Sequence, residues 1–292
     1  LWETVEKTRP AEIFTEAFLL ETKYTGESAA EKLSRLREKL EELDADAIAV
    51  SKLDNIAWLF NIRSGDIENN PVVISYAFVS KEDAVLFTES GRIPACVRDD
   101  LAKEGVSIRG YEEIYSFLES TGSKLRVLCD KEELNGELAA LIENNAALTA
   151  VPGEDPIPLM KACKNKTENE NTHSAYLKDG CALAEFYGWL FEELDKGTPL
   201  TEYDCVEKLA ECRRAQPLNR GDSFTPIIAY RENAAMMHYA PKPGVSKQLD
   251  KSHMLLIDSG GQYLEGTTDI TRTFALGEIN ETERFDFTLT LK

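Results

Sequence analysis

The sequence predicts an α/β domain followed by a partial α+β domain, and three observations predict it. Short apolar runs alternate with amphipathic stretches through the first 150 residues; a Pro- and Gly-rich stretch, VPGEDPIPLM, occupies 151–160; and beyond it two long helical stretches precede β-type runs separated by Gly and Pro. The expected organisation is a linker from an upstream domain at 1–26, an α/β domain at 27–160 and the beginning of an α+β domain at 161–292.

The lead-in to residue 25 has no periodicity long enough for a domain. At 28–43, Ser28 and Glu31 have capping-box spacing, and Leu33, Leu36, Leu40 and Leu43 recur at helical intervals, which predicts an amphipathic helix. AIAVS (47–51) reads as a buried strand and DNIAWLFNI as a short helix. PVVISYAFV (71–79) and AVLFT (84–88) read as strands joined by a polar KED turn. A helix at 92–103, strand VSIRGY, helix 112–119, strand LRVLCD, helix 132–144 and strand ALTAV follow, an alternation that implies a central mixed sheet covered by helices. Past the boundary, a helix from about Thr167 to Asp195 is closed by Lys196 and Gly197, and another occupies 201–215. Strand-like segments then fall at 223–230, 234–239, 253–259 and 268–275, and ETERFDFTLTLK begins a last helix.

Composition excludes several classes of function. With 52 Asp plus Glu against 33 Lys plus Arg, the net charge of −19 repels phosphate backbones and anionic lipid surfaces, so neither nucleic acid nor membrane is an expected partner. No apolar run approaches the roughly 20 residues of a spanning helix, and LWETVEKTRPAE has no signal-peptide pattern. A cytoplasmic setting is therefore expected. The six cysteines show no CxxC pair, and Cys205 and Cys212 would stand about 10 Å apart along one helix, too far for a disulfide, so reduced core thiols are expected.

The segment that carries chemistry is HMLLIDSGGQYLEGTTDITRTF, 253–274, two β-type runs flanking a Gly-rich connection. A hairpin symmetric about Tyr263 and Leu264 would set Asp258 directly opposite Asp269, with Cβ atoms about 4.5–5.5 Å apart. Like charges there are destabilising unless something compensates, and a divalent cation would; the spacing alone favours instead a turn-capping Asp258 and an Asp269 paired with Arg272 on the surface, because strand-end aspartates are common. Of the three histidines, His173 reads as part of a solvated helix face and His253 as a strand-end residue. His238, between an apolar Met pair and YAP, reads from its neighbours as a hydrogen-bonded core residue. Arg220-Gly221-Asp222 is expected to be a turn before a strand rather than an adhesion motif.

DSGGQYLEGTTDITRTF resembles the first half of the metal-binding signature of the pita-bread metallopeptidases, cytosolic Xaa-Pro aminopeptidases (aminopeptidase P) in particular. DNIAWLFNIRSGDIENNPVVISYAFV is similar to the second-domain segment of these three-domain enzymes, and HYAP at 238–241 to their pre-metal strand. The resemblance implies a creatinase-like α/β domain followed by a partial pita-bread catalytic domain, and removal of an N-terminal residue that precedes proline. It implies Asp258 as ligand to one metal, Asp269 as bridge between two, and His238 as a substrate contact that stabilises the oxyanion. It further implies two divalent ions, Mn²⁺ foremost and Zn²⁺ second, peptide substrates with an Xaa-Pro N-terminus, a homodimer, and one His and two Glu ligands beyond Lys292. Tyr230 and Arg231, in AYRENAAMMHY, stand near where the family usually has glycine. Competing readings are a prolidase- or creatinase-type hydrolase on the same fold, and a non-catalytic binding module.

Overall fold

The computed structural model describes residues 14–122 and 124–292; the first half of the expected 1–26 linker lies outside them. The chain divides into two compact units, Leu1–Asn165 and Lys166–Lys292.

In the first unit, α1 (Ala29–Glu42) starts on the expected capping box. The Glu31 N–H donates to Ser28 Oγ at 3.2 Å and the Ser28 N–H to Glu31 Oε2 at 2.8 Å, an arrangement worth about 1 kcal/mol. Leu33, Leu36 and Leu40 are buried, whereas Leu43, expected on the same stripe, is the C-cap and is exposed. The chain continues through β1 (Ala47–Val50), α2 (Leu53–Leu59), β2 (Ser75–Ser80), β3 (Ala84–Thr88), α3 (Ala95–Lys103), β4 (Ser107–Arg109), α4 (Glu113–Glu119), β5 (Leu125–Cys129), α5 (Gly136–Asn144), β6 (Leu148–Pro152) and α6 (Ile157–Ala162).

The strands form one six-stranded mixed sheet in the order β4-β3-β2-β1-β5-β6. β1 runs antiparallel to β2 and parallel to β5, so it sits where the strand direction changes. Both faces are covered. Ile48, Val50, Ala77, Val79 and Leu86 enter one hydrophobic core while the alternate residues Ala47, Ala49, Phe78, Val85 and Phe87 enter another, the period-two split of a sheet buried on both sides. Expected strand 71–79 begins only at Ser75: Pro71 has no N–H, and the Ile74 N–H donates to Asp66 Oδ2 at 2.8 Å instead of to a ladder. Asp66 also accepts from the Thr15 N–H at 3.1 Å and forms a buried ion pair with Arg92.

The second unit opens with α7 (Lys166–Lys196), ended by Gly197 at φ 76°, and α8 (Glu202–Arg214). The strands β7 (Asn219–Asp222), β8 (Ile227–Tyr230), β9 (Met254–Ser259), β10 (Gly261–Tyr263), β11 (Gly266–Thr267) and β12 (Ile270–Ala275) precede α9 (Glu281–Leu291). They form two three-stranded antiparallel sheets, β8-β9-β12 and β11-β10-β7. Leu183, Phe186 and Leu190 of α7 and Leu209 of α8 pack on Ile228, Leu255 and Ile257, which covers one face of the first of these sheets.

Three expectations fail here. Residues 234–239 are not a strand: a 3₁₀ turn spans Arg231–Ala235 and His238 follows in a turn, because Asn233 is tied by its side chain to Glu202 rather than by its backbone to a ladder. HYAP is accordingly turn and coil instead of a pre-metal strand. Arg220-Gly221-Asp222 is not a turn but lies within β7, paired with Gly261 and Gln262. All six cysteines are free as expected, yet Cys96, Cys163 and Cys181 are exposed and only Cys129, Cys205 and Cys212 are core thiols.

Among the described residues no helix is long and apolar enough to cross a membrane.

Candidate metal centre

β9 alternates strictly. Leu255, Ile257 and Ser259 are buried against the helices, while Met254, Leu256 and Asp258 point to the opposite, half-open face. Its register with β12 pairs Asp258 with Thr271 and Met254 with Ala275. The hairpin is therefore centred one residue later than the symmetry about Tyr263 and Leu264 supposed, and Asp269 is not opposite Asp258. The shift between facing partners is two residues, an even number, so the register extended past Ile270 to Asp269 would keep both carboxylates on one face as diagonal neighbours.

The displacement comes from the connection. Tyr263 and Gly266 pair as the ends of a β10-β11 hairpin, and the Thr268 N–H donates to the Gly261 carbonyl at 2.9 Å. Gly260 lets this loop close, since a Cβ there would run into the Thr268 carbonyl and the Ser223 hydroxyl.

Asp258 accepts a hydrogen bond from the Thr271 hydroxyl at 2.7 Å. Asp269 is exposed, and its backbone is bracketed by Tyr176 of α7, to whose hydroxyl the Asp269 N–H donates at 3.3 Å. Among the described residues neither carboxylate forms an ion pair, so the expected Asp269–Arg272 pairing is absent; Arg272 pairs in register with Ile257, on the other face. Two unpaired carboxylates on one open sheet face are a donor set that fits a hard divalent cation. They make up only part of one: among the described residues no three His, Cys, Asp or Glu side chains are grouped to hold a metal.

The same open face floors a cleft. Met254, Leu256, Thr271 and Thr273 of the sheet line it, together with Ala235 and with Phe287 of α9. His238 is exposed rather than the core histidine its neighbours suggested. His173 is exposed on α7, as a solvated helix face requires, and His253 precedes β9 with Nδ1 2.7 Å from Glu283 Oε1. Near where the resembling family usually has glycine, Arg231 adopts φ 57°, a left-handed conformation that strains a non-glycine residue.

Behind the carboxylates lie charged groups that the sequence did not mark. Arg213 Nε donates to Asp179 Oδ1 at 2.8 Å, and its terminal nitrogen donates to Asp179 Oδ2 and to Ser259 Oγ, each at 3.1 Å; the Tyr263 hydroxyl donates to Asp179 at 3.0 Å. Burial, and then the Asp179 carboxylate, push the Tyr263 phenol far above its ordinary range, which keeps it a donor. Glu202, fully buried at the start of α8, receives hydrogen bonds, among the described residues, only from the 230–247 segment. An acidic residue in the first turn of a helix and an arginine in its last are ordinary caps in sequence, and nothing in the spacing announces burial.

Comparison with known proteins extends this geometry. The creatinase/prolidase N-terminal domain model matches residues 8–168, and the metallopeptidase family M24 model matches 174–292. A Laccaria bicolor protein described as "Probable Xaa-Pro aminopeptidase P" is 38% identical over 97% of this chain and 44% of its own length; a Sordaria macrospora protein of the same description is 36% identical over 100% and 48%. The chain thus spans about half the length of the curated relatives it matches. The Caenorhabditis elegans X-prolyl aminopeptidase, described as a cytosolic enzyme with a di-nuclear active site, superposes with TM-score 0.90 at 30% identity over 96% of this chain and 46% of that one. The Bacillus anthracis Xaa-Pro dipeptidase, at 18% identity and TM-score 0.66 over 90% of this chain and 70% of its own, shares the fold. With a model match covering more than half of its residues, the chain belongs to the creatinase/prolidase N-terminal domain family, continued by a metallopeptidase family M24 domain.

Proposed function

We propose that the whole protein is an Xaa-Pro aminopeptidase, a metal-dependent hydrolase that releases the N-terminal residue from peptides with proline in second position. The observation that carries the reading is the position of Asp258 on the half-open face of β9 and of Asp269 directly before β12 in the M24 domain, two carboxylates that form no ion pair among the described residues. The descriptions of the Laccaria, Sordaria and Caenorhabditis proteins support the proline specificity.

In this reading Asp258 and Asp269 hold two divalent ions, Mn²⁺ first and Zn²⁺ second. When bound there, the ions supply Lewis acidity and activate water. Asp258 is oriented by the Thr271 hydroxyl, and Asp269 by the Tyr176 clamp on its backbone. Met254 and Leu256 give the cleft an apolar floor that limits water beside the scissile bond. His238, on its exposed turn, donates a hydrogen bond to the oxygen on which charge develops. The further ligands are an expectation from the family resemblance, as is the homodimer. The cytosolic description of the Caenorhabditis enzyme supports a cytoplasmic setting. Residues 1–26 are read as a connection from a preceding domain and 161 as the start of the catalytic domain.

A dipeptidase acting on Xaa-Pro is the second reading, favoured by the fold shared with the Bacillus dipeptidase. Mn²⁺-loaded full-length enzyme assayed on Xaa-Pro-Xaa tripeptides and Xaa-Pro dipeptides separates the two. The aminopeptidase reading expects turnover of the tripeptides and little of the dipeptides; the reverse order would replace it with the dipeptidase.

A further inference from the structure

We propose that Glu202 is a positioning residue for His238, a buried carboxylate that clamps the loop presenting the histidine. The inference rests on the reading of His238 as a substrate contact. Glu202 is 0% exposed, and a buried carboxylate survives only if its oxygens are satisfied. Its donors come from both ends and the middle of one segment. The Tyr230 N–H donates to Oε1 at 2.7 Å where the segment begins, and the Lys247 N–H to Oε2 at 2.9 Å where it ends. Between them the Asn233 amide donates at 2.9 Å to Oε1, and the Tyr239 hydroxyl donates to Oε2. The Glu202 N–H in turn donates to the Lys247 carbonyl at 3.0 Å, so side chain and backbone of one residue close the loop.

Tyr239 directly follows His238, and Asn233 lies in the 3₁₀ turn before it. The histidine is exposed and is placed by these neighbours. Burial, and then the Glu202 carboxylate, push the Tyr239 phenol up to about 12, so it donates throughout the neutral range. Buried Asp179, by comparison, is matched by an arginine. Among the described residues Glu202 forms no ion pair and its donors are all neutral, an arrangement that fixes a loop through many directional bonds rather than one charge contact.

The test is Glu202→Gln in the full-length enzyme, with Tyr239→Phe as the milder variant. Glutamine keeps the volume but turns an amide N–H₂ toward groups that are themselves donors. We expect faster hydrogen exchange across 231–247, unchanged metal content, and kcat on Xaa-Pro-Xaa peptides lowered about 10²-fold with a smaller change in KM, the cost of misplacing a reacting group by about 1 Å. In a His238→Ala background the same change is expected to cost less than about threefold, because residues acting as one unit are not additive. Tyr239→Phe is expected to repeat the pattern at about tenfold, and decides the matter if Glu202→Gln does not fold. Equal losses with and without His238, or unchanged exchange over 231–247, would overturn the proposal. An enzyme inactive on Xaa-Pro peptides would remove the functional reading instead, and the exchange measurement would still decide the clamp.

Discussion

In the six-stranded sheet both sides of β1 are covered, Ile48 and Val50 by one core and Ala47 and Ala49 by another; in β8-β9-β12 only the Leu255–Ile257 side is covered, and Met254, Leu256 and Asp258 stay half-exposed. In the first sheet β1 and β3 bury every side chain. The second divides them, one face packed on the helices and one left half-open, and its charged groups divide likewise into the buried Asp179 and Arg213 and the more exposed Asp258 and Asp269. Substitutions on the open face should therefore change function without changing folding, and substitutions behind it should do the reverse.

The sharpest use of that division is Asp269→Asn in the full-length enzyme. The amide keeps the shape but is a poorer ligand, so bound metal and peptidase activity should fall together, by more than the about 10²-fold typical of losing one transition-state donor, while the melting temperature of the metal-free protein stays put. Full activity at normal metal occupancy would remove Asp269 from the site; a large drop in apo-protein stability would break the comparison itself.

Arg213→Ala tests the other face. It strands the Asp179 carboxylate in the core, and leaving one member of a buried pair alone costs about 3–5 kcal/mol, to be read by urea unfolding followed at Trp189. A loss below about 1 kcal/mol would show that water reaches Asp179 and that the sheet is less covered than it looks.

His238→Ala should lower kcat about 10²-fold with metals still bound and folding unaffected. A change confined to KM would recast the histidine as a ground-state contact.

The smallest effect belongs to the closed unit. Burial alone would raise the Asp66 carboxyl, but bonds from the Ile74 N–H, Arg92 and the Thr15 N–H outweigh it and hold the group below the usual carboxylate range. A depressed folded value means that the stabilisation is complete above about pH 4, the unfolded value, and is lost as pH falls through the lower folded one. Thermal melts from pH 6 downward should lose stability in that window, and Asp66→Asn should flatten the slope. An unchanged slope would assign the acid sensitivity to other carboxylates.

What was legible follows the same division. The doubly covered strands announce themselves as apolar runs, and α1 announces its start through Ser28 and Glu31, because burial and capping are local and periodic. Asp258 and Asp269 were singled out by resemblance and by facing-strand logic, and the logic missed the register by two. Register is set here by the β10-β11 hairpin and the Gly260 approach, contacts made within a loop whose conformation no period encodes. The 234–239 segment reads as a strand, but its backbone bonds close local turns, Met236 N–H to Asn233 and Tyr239 N–H to Met236, while the Tyr239 hydroxyl reaches Glu202, far back in the chain. Glu202, Asp179 and Arg213 were invisible for that reason: in sequence they are charged residues on amphipathic helices, and only tertiary folding turns them inward.

The bond from Arg213 to Ser259 has a consequence for fidelity. Ser259 directly follows Asp258 on β9, and its hydroxyl occupies the one place on the strand that faces the Arg213–Asp179 pair. A slip of β9 by a single residue would turn Asp258 inward to that place, against Asp179, and bury two like charges beside one arginine, while the apolar side chains of the strand would turn out toward the cleft. The ion pair thus acts as a proofreader of strand register: it opposes the slipped alignment as well as supporting the native one, and so keeps Asp258 on the half-open face.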